Sequence, residues 1–188
     1  GVLNSFGNSA KLGKSNWCIL ESDESDGSFL RLPPTYSIIT NVDEEHMDHY
    51  KNMKNLKKHF IKFIEKTPSL GKSLICVDDK NNNDIIKNIK NKNYHTYGIS
   101  LNSNFRIQNI NQNISYSSFD IKISLPGKKI TYLKNIKVPM IGLHNIRNAT
   151  AASAVAFIIG ISKSNIKKGL KNFKGVQRRF NYLFKYRN

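Results

Sequence analysis

The sequence predicts an α/β fold: a mainly parallel sheet flanked by helices, carrying a small antiparallel β subsheet. Three observations point there. Short apolar runs alternate with helix-periodic stretches across short connections, which is the pattern of parallel strands covered by helices. From Asn104 to Val138 the texture changes to period-two alternation. Two helical segments then close the chain. In order, Trp17 to Leu20 is an apolar run ending in Glu21, and Tyr36 to Val42 is a second strand candidate. Met53, Leu56, Phe60, Phe63 and Ile64 follow helical spacing, with Lys54, Lys57, Lys58 and Lys62 opposite. Pro68 and Gly71 end that helix before a third apolar run, Ser73 to Val77. Asp84 to Lys90 suits a short helix, and Tyr94 to Ile99 a strand. Phe119, Ile121, Ile123 and Leu125 alternate as a half-buried antiparallel strand would. The closing helices are expected over Asn145 to Ile159 and Ser162 to Asn172, the second with a Ser N-cap.

Composition bounds what such a fold does. The chain has 188 residues, 39% of them hydrophobic and 10% aromatic, enough to bury a core and to exclude wholesale disorder. The longest apolar stretch, Ala149 to Ile161, is broken by Thr150, Ser153 and Gly160 and is too short to cross a bilayer, so no membrane insertion is expected. Cys18 and Cys76 form neither a disulfide framework nor a metal motif. The expected compartment is therefore the reducing cytoplasm, and the opening residues lack the pattern of a secretory signal. The net charge of +17 suggests a polyanion partner at first sight. Yet the chain has 24 Lys against 6 Arg, and no segment mixes Arg with aromatic residues as nucleic-acid surfaces do, so no nucleic acid is expected. The acidic residues are more informative. Eight of the thirteen carboxylates fall between Glu21 and Asp48, a local cluster that suggests a divalent cation.

Ligands of open parallel sheets gather at the carboxyl ends of the strands. That rule selects Glu21 and the segment Asn41-Val42-Asp43-Glu44-Glu45-His46-Met47-Asp48, each following an apolar run. Glu21 and His46 are candidate metal ligands at a shared rim; a solvated acidic loop with an incidental histidine is the other reading. Imidazole suits manganese or zinc better than magnesium. Gly7 to Ser15 imitates a phosphate-binding P-loop but has five residues between its glycines where the motif has four, and precedes a strand instead of leaving one. It is read as a flexible loop. In Gly142-Leu143-His144-Asn145-Ile146-Arg147-Asn148-Ala149, the two asparagines share a helix face and can offer amides to an adenine edge. Alternatively, Asn145 is a cap and Asn148 a surface residue. In Gly175-Val176-Gln177-Arg178-Arg179-Phe180, an arginine is suited to bidentate phosphate contact. The chain opens at Gly1 inside a Gly/Asn/Ser loop and closes on Tyr-Arg-Asn, so it is expected to be an excised piece of a longer polypeptide.

Together these segments carry a resemblance. Glu21-Ser22-Asp23-Glu24-Ser25-Asp26-Gly27-Ser28-Phe29-Leu30, then Thr40 to Tyr50, the His144-Asn145-x-x-Asn148 helix start and Gly175-x-x-Arg178-Arg179-Phe180 resemble, in order and spacing, the P-loop-NTPase-like central domain of the Mur ligases. The likeness covers essentially the whole chain and is greatest to the branch of the family that joins L-alanine to UDP-N-acetylmuramate in peptidoglycan synthesis. It implies a central ATP-binding domain over residues 1–180, with 181–188 beginning a linker. It also implies N- and C-terminal Rossmann-like domains in the same polypeptide, and ATP with Mg2+ (or Mn2+) as cofactors.

By the same resemblance, Glu21 matches the family's magnesium-binding glutamate and His46 the histidine of its second metal site. His144, Asn145 and Asn148 fall at the nucleotide, with Asn148 facing adenine, and Arg179 reaches the ATP phosphates. Glu21, His46 and Arg179 would be the catalytic set, holding charge and carrying no proton. The family's P-loop lysine is expected upstream of Gly1, within a Gly-x-x-Gly-Lys-Thr-Thr segment. Sister ligases that recycle murein tripeptide or add polyglutamate are the alternative, and a non-enzymatic polyanion-binding module is a more distant one.

Overall fold

The computed structural model describes residues 2–5 and 7–176. Its six strands form one sheet in sequence order: β1 (Tyr36–Ile39), β2 (Lys72–Cys76), β3 (Tyr94–Gly98), β4 (Phe105–Gln112), β5 (Ser117–Ile123) and β6 (Thr131–Val138). The first four are parallel, and β4, β5 and β6 pair antiparallel. The expected antiparallel subsheet is thus the continuation of the parallel sheet. Burial patterns show why the two halves read differently. In β2 the last four residues are all buried, as in a strand covered on both faces, whereas β5 strictly alternates.

The helices are α1 (Met47–Tyr50), α2 (Met53–Glu65), α3 (Lys80–Asn88), α4 (Leu143–Ile158) and α5 (Lys163–Lys171). In α2, Leu56, Phe60, Phe63 and Ile64 line the buried face while Lys54, Lys58 and Lys62 stay in water. Each such apolar side chain contributes about 1.5–3 kcal/mol on leaving water. The Asn52 side chain caps the helix by accepting from Asn55 N–H at 3.0 Å, and Ser162 caps α5 in the same way. The Lys57–Asp84 ion pair at 2.8 Å ties α2 to α3.

Alternate residues of β2 feed two cores. Leu74 and Cys76 join β3 to β6, α4 and α5 in one; Ile75 joins β1, α2, α3 and Phe29 in the other. The hydroxyls of Ser37, Ser73 and Thr67 satisfy one another at 2.8–3.2 Å within the second layer. Among the described residues no helix is long and apolar enough to cross a membrane.

One expected strand does not form. Trp17 to Leu20 stays irregular: Trp17 rests on Tyr36 with ring centroids 5.9 Å apart, while Ile19 is 93% and Leu20 62% exposed. No helix covers this run, so ordering its backbone would bury little apolar surface in return. Glu21 therefore does not follow a strand end.

Candidate functional site

The carboxyl ends of β1, β2 and β3 lie along one edge of the sheet because the three strands are parallel and in register. Three segments meet there. The chain leaving β1 buries Val42 and is pinned by α3: Asn81 Nδ2 donates to Val42 O at 2.6 Å, and Asn82 Nδ2 to Thr40 O at 3.2 Å and Cys76 O at 2.9 Å. It reaches His46, the N-cap of α1, in the left-handed region at φ 57°. A non-glycine residue there costs about 1–2 kcal/mol, and such strain collects at functional positions. The His46 carbonyl nevertheless accepts from His49 and Tyr50 N–H, both at 3.0 Å.

The acidic loop before the 3-10 turn Ser28–Arg31 packs beside this histidine. Asp23 and Asp26 accept from Ser25 and Ser28 N–H at 2.7 and 2.8 Å, and hydrogen bonding to the side chains and then the backbone of those serines holds both carboxyls below the usual carboxylate range. Two of the acids are thereby committed to turn geometry. Buried Tyr50 donates its hydroxyl to the Glu24 carbonyl, fastening the loop to α1. Burial, and then the carboxylates of Glu24, Asp26 and Asp23, raise the Tyr50 hydroxyl above its ordinary value.

The outcome is a cluster in which one ligand atom each from Glu24, Glu45 and His46 lies within 4.8 Å of the others. Two hard carboxylates and a borderline imidazole suit a divalent cation such as Mn2+. Among the described residues this is the one group of three such ligands, and Glu21, exposed three residues upstream of Glu24, is outside it.

The third segment is the start of α4. Gly142, at φ 98°, turns the chain into the helix, and a Cβ there would come within 2.8 Å of the His144 ring. Asn145 Nδ2 donates to Ile141 O at 2.7 Å, fixing that amide, while His144 and Asn148 are exposed. Ile146, on the opposite side, is fully buried and anchors the turn. Asn145 and Asn148 therefore present one accessible face, and the cap belongs to Gly142 and not to Asn145.

The family model of the Mur ligase middle domain matches residues 4–156, a stretch that includes all three rim segments. The chain belongs to the Mur ligase family. Over 187 residues it is 64% identical to the UDP-N-acetylmuramate–L-alanine ligase of Pelagibacter ubique, covering 100% of this chain and 40% of that protein. It is 38% identical over 182 residues to the ligase of the same name from Brucella anthropi, covering 97% and 39%. The chain thus spans about 40% of the length of these curated relatives.

The fold is that of solved Mur ligases. A UDP-N-acetylmuramate:L-alanyl-gamma-D-glutamyl-meso-diaminopimelate ligase from Neisseria meningitides superposes with TM-score 0.76 at 23% identity, over 95% of this chain and 57% of that one. A UDP-N-acetylmuramate-alanine ligase from Thermotoga maritima gives 0.68 at 23%, over 86% and 34%.

On this Mur ligase scaffold the predicted residues distribute unevenly. His46, Asn145 and Asn148 stand on segments flanking the carboxyl rim, and His46 acquires two carboxylate neighbours that the sequence did not single out, Glu24 and Glu45. Arg178 and Arg179 lie outside the described residues. The P-loop imitation, Gly7 to Ser15, is exposed, with no strand leading in and no helix leaving. One rim residue was missed altogether. Asp78, just beyond β2, accepts from Ile99 N–H at 2.9 Å and from Arg147 Nε at 2.8 Å. The signal was present, because Asp78 follows an apolar strand just as Asp43 does.

Proposed function

We propose that the chain is the central, nucleotide-binding part of a cytoplasmic ligase that joins L-alanine to UDP-N-acetylmuramate with ATP hydrolysed to ADP and phosphate. The observation that carries this reading is the 64% identity to such a ligase along the whole chain, through every rim segment. Three parts of one carboxyl rim support it: the Glu24–Glu45–His46 cluster, the acidic loop that includes Glu21, and the amide face of α4. In the reaction, a carboxylate oxygen of the sugar nucleotide attacks the γ-phosphorus and ADP leaves, giving an acyl phosphate. The amine nitrogen of alanine then attacks the acyl carbon, phosphate leaves, and the amine proton passes to solvent or base.

Two anions must approach in the first step, so the main task of the site is electrostatic. Glu24, Glu45 and His46 would hold a divalent cation, with Glu21 a further ligand by family resemblance; when bound, such an ion neutralises phosphate charge. Asn148, with Asn145 locked beside it and His144 flanking, would orient the adenine, and by family resemblance Arg179 would serve the phosphates. None of these groups need move a proton.

The test is ADP release by the full-length protein with UDP-N-acetylmuramate and a panel of amino acids and peptides. Turnover should be greatest with L-alanine. Preference for the murein tripeptide, or for glutamate, would move the chain to a sister ligase, and no nucleotide-dependent coupling would overturn the reading.

A further inference from the structure

We infer that Asp78 is a positioning residue for the nucleotide-facing turn of α4, holding it through Arg147 against the ends of β2 and β3. The inference rests on the proposed placement of ATP at this rim. The Asp78 side chain is only 8% exposed, and a buried carboxylate needs compensation. It receives Ile99 N–H at 2.9 Å to Oδ1 and 3.0 Å to Oδ2, Ser100 N–H at 3.3 Å, and Arg147 Nε at 2.8 Å. One carboxylate thus joins the segment leaving β2, the turn after β3 and the first turns of α4.

Two further observations show that the arrangement is specific. Gly98 sits at φ +148°, where a Cβ would come within 2.5 Å of Asp78 Oδ1 and 2.8 Å of its Cγ, so glycine makes the room the carboxylate occupies. Arg147 lies near the positive end of α4, a helix that starts without a side-chain cap or an acidic residue in its first turn. A cation is disfavoured at that end and an anion favoured. Asp78 supplies the anion from outside the helix. Arg147 stands between Asn145 and Asn148 in sequence, so a shift of its tether moves both amides. A displacement of about 1 Å is enough to cost one to two orders of magnitude in a positioned contact.

Steady-state kinetics of the full-length ligase test this. Asp78→Asn should raise the KM for ATP about tenfold with the KM for the sugar nucleotide unchanged, and Gly98→Ala should do the same by evicting the carboxylate. Arg147→Lys, which retains an ion pair, should recover most of the ATP affinity that Arg147→Met loses; thermal unfolding of each variant shows whether it is folded. A fall in kcat alone, equal changes in both KM values, or identical behaviour of Arg147→Lys and Arg147→Met would overturn the positioning role. Asn148→Ala measured alongside separates the two levels. If it raises the ATP KM while Asp78→Asn does not, the positioning role fails alone. If no variant affects ATP, the placement of ATP at this rim fails and the role falls with it.

Discussion

Replacing His46 with glycine should stabilise this chain relative to His46→Ala while removing its cation site. The backbone at 46 is left-handed, which costs any residue with a Cβ about 1–2 kcal/mol and glycine nothing. Glycine loses about 0.5–1 kcal/mol more than alanine in unfolded-chain entropy, so the net gain over alanine is about 0.5–1 kcal/mol. The imidazole itself is about one-third exposed, and both variants delete it, so the packing it contributes cancels from the comparison. The carbonyl that starts α1 is retained in both variants. For a chain of this size the gain corresponds to a melting temperature about 1–4 °C higher for His46→Gly than for His46→Ala. Thermal unfolding should be recorded with and without Mn2+. The unaltered chain should melt higher with the ion, by an amount that grows with ion concentration over its dissociation constant, and both variants should lose that response. A glycine variant melting below the alanine variant would refute the strain argument. An undiminished Mn2+ response in both would remove His46 from the cation site.

Glu24→Gln should weaken Mn2+ binding to this chain severalfold, because the ligand set loses a charge, and titration calorimetry checks it. Glu21→Ala in the full-length ligase should abolish turnover at ordinary Mg2+ concentrations; retained activity would exclude Glu21 from the metal site. Tyr50→Phe should cost about 1 kcal/mol in denaturant unfolding through the lost hydrogen bond to Glu24, and should also weaken Mn2+ binding by freeing the loop. Burial, and then the ammonium groups of Lys72 and Lys128, hold His95 below its ordinary 6.5. The unfolded chain therefore takes up that proton first, so the contribution is intact above pH 6.5 and lost as pH falls toward the folded value. Denaturant midpoints should decline over that window, and His95→Gln should flatten the decline.

The elements legible in the sequence are those whose own pattern forces their environment. The α2 stripe of Leu56, Phe60, Phe63 and Ile64 can be buried in one way only, and β5 alternates because one of its faces is covered. Trp17 to Leu20 misled because four apolar residues describe a strand only when a neighbour and a covering layer exist, and neither condition is local. The same limit governs the site. His46 could be found by its place after a strand, but its partners come from 1 and 22 residues away in sequence, and Glu24 reaches it only because Tyr50 folds the acidic loop onto α1.

Asp78 shows where the strand-end rule has more to give. Three carboxylate positions follow apolar runs in this chain, at Glu21, Asp43 and Asp78, and the structure gives each a different environment. Glu21 is exposed on an irregular segment, Asp43 accepts from the neighbouring Asn41 amide at 2.6 Å, and Asp78 is enclosed by the turn after β3 and a guanidinium. What separates them is the number of elements that converge on the carboxylate, and that number is a property of strand order. Asp78 follows β2, an interior strand with neighbours on both sides, whereas Asp43 follows the edge strand β1. A carboxylate after an interior parallel strand is therefore the one placed to receive backbone N–H groups from a flanking strand's exit and a side chain from a covering helix.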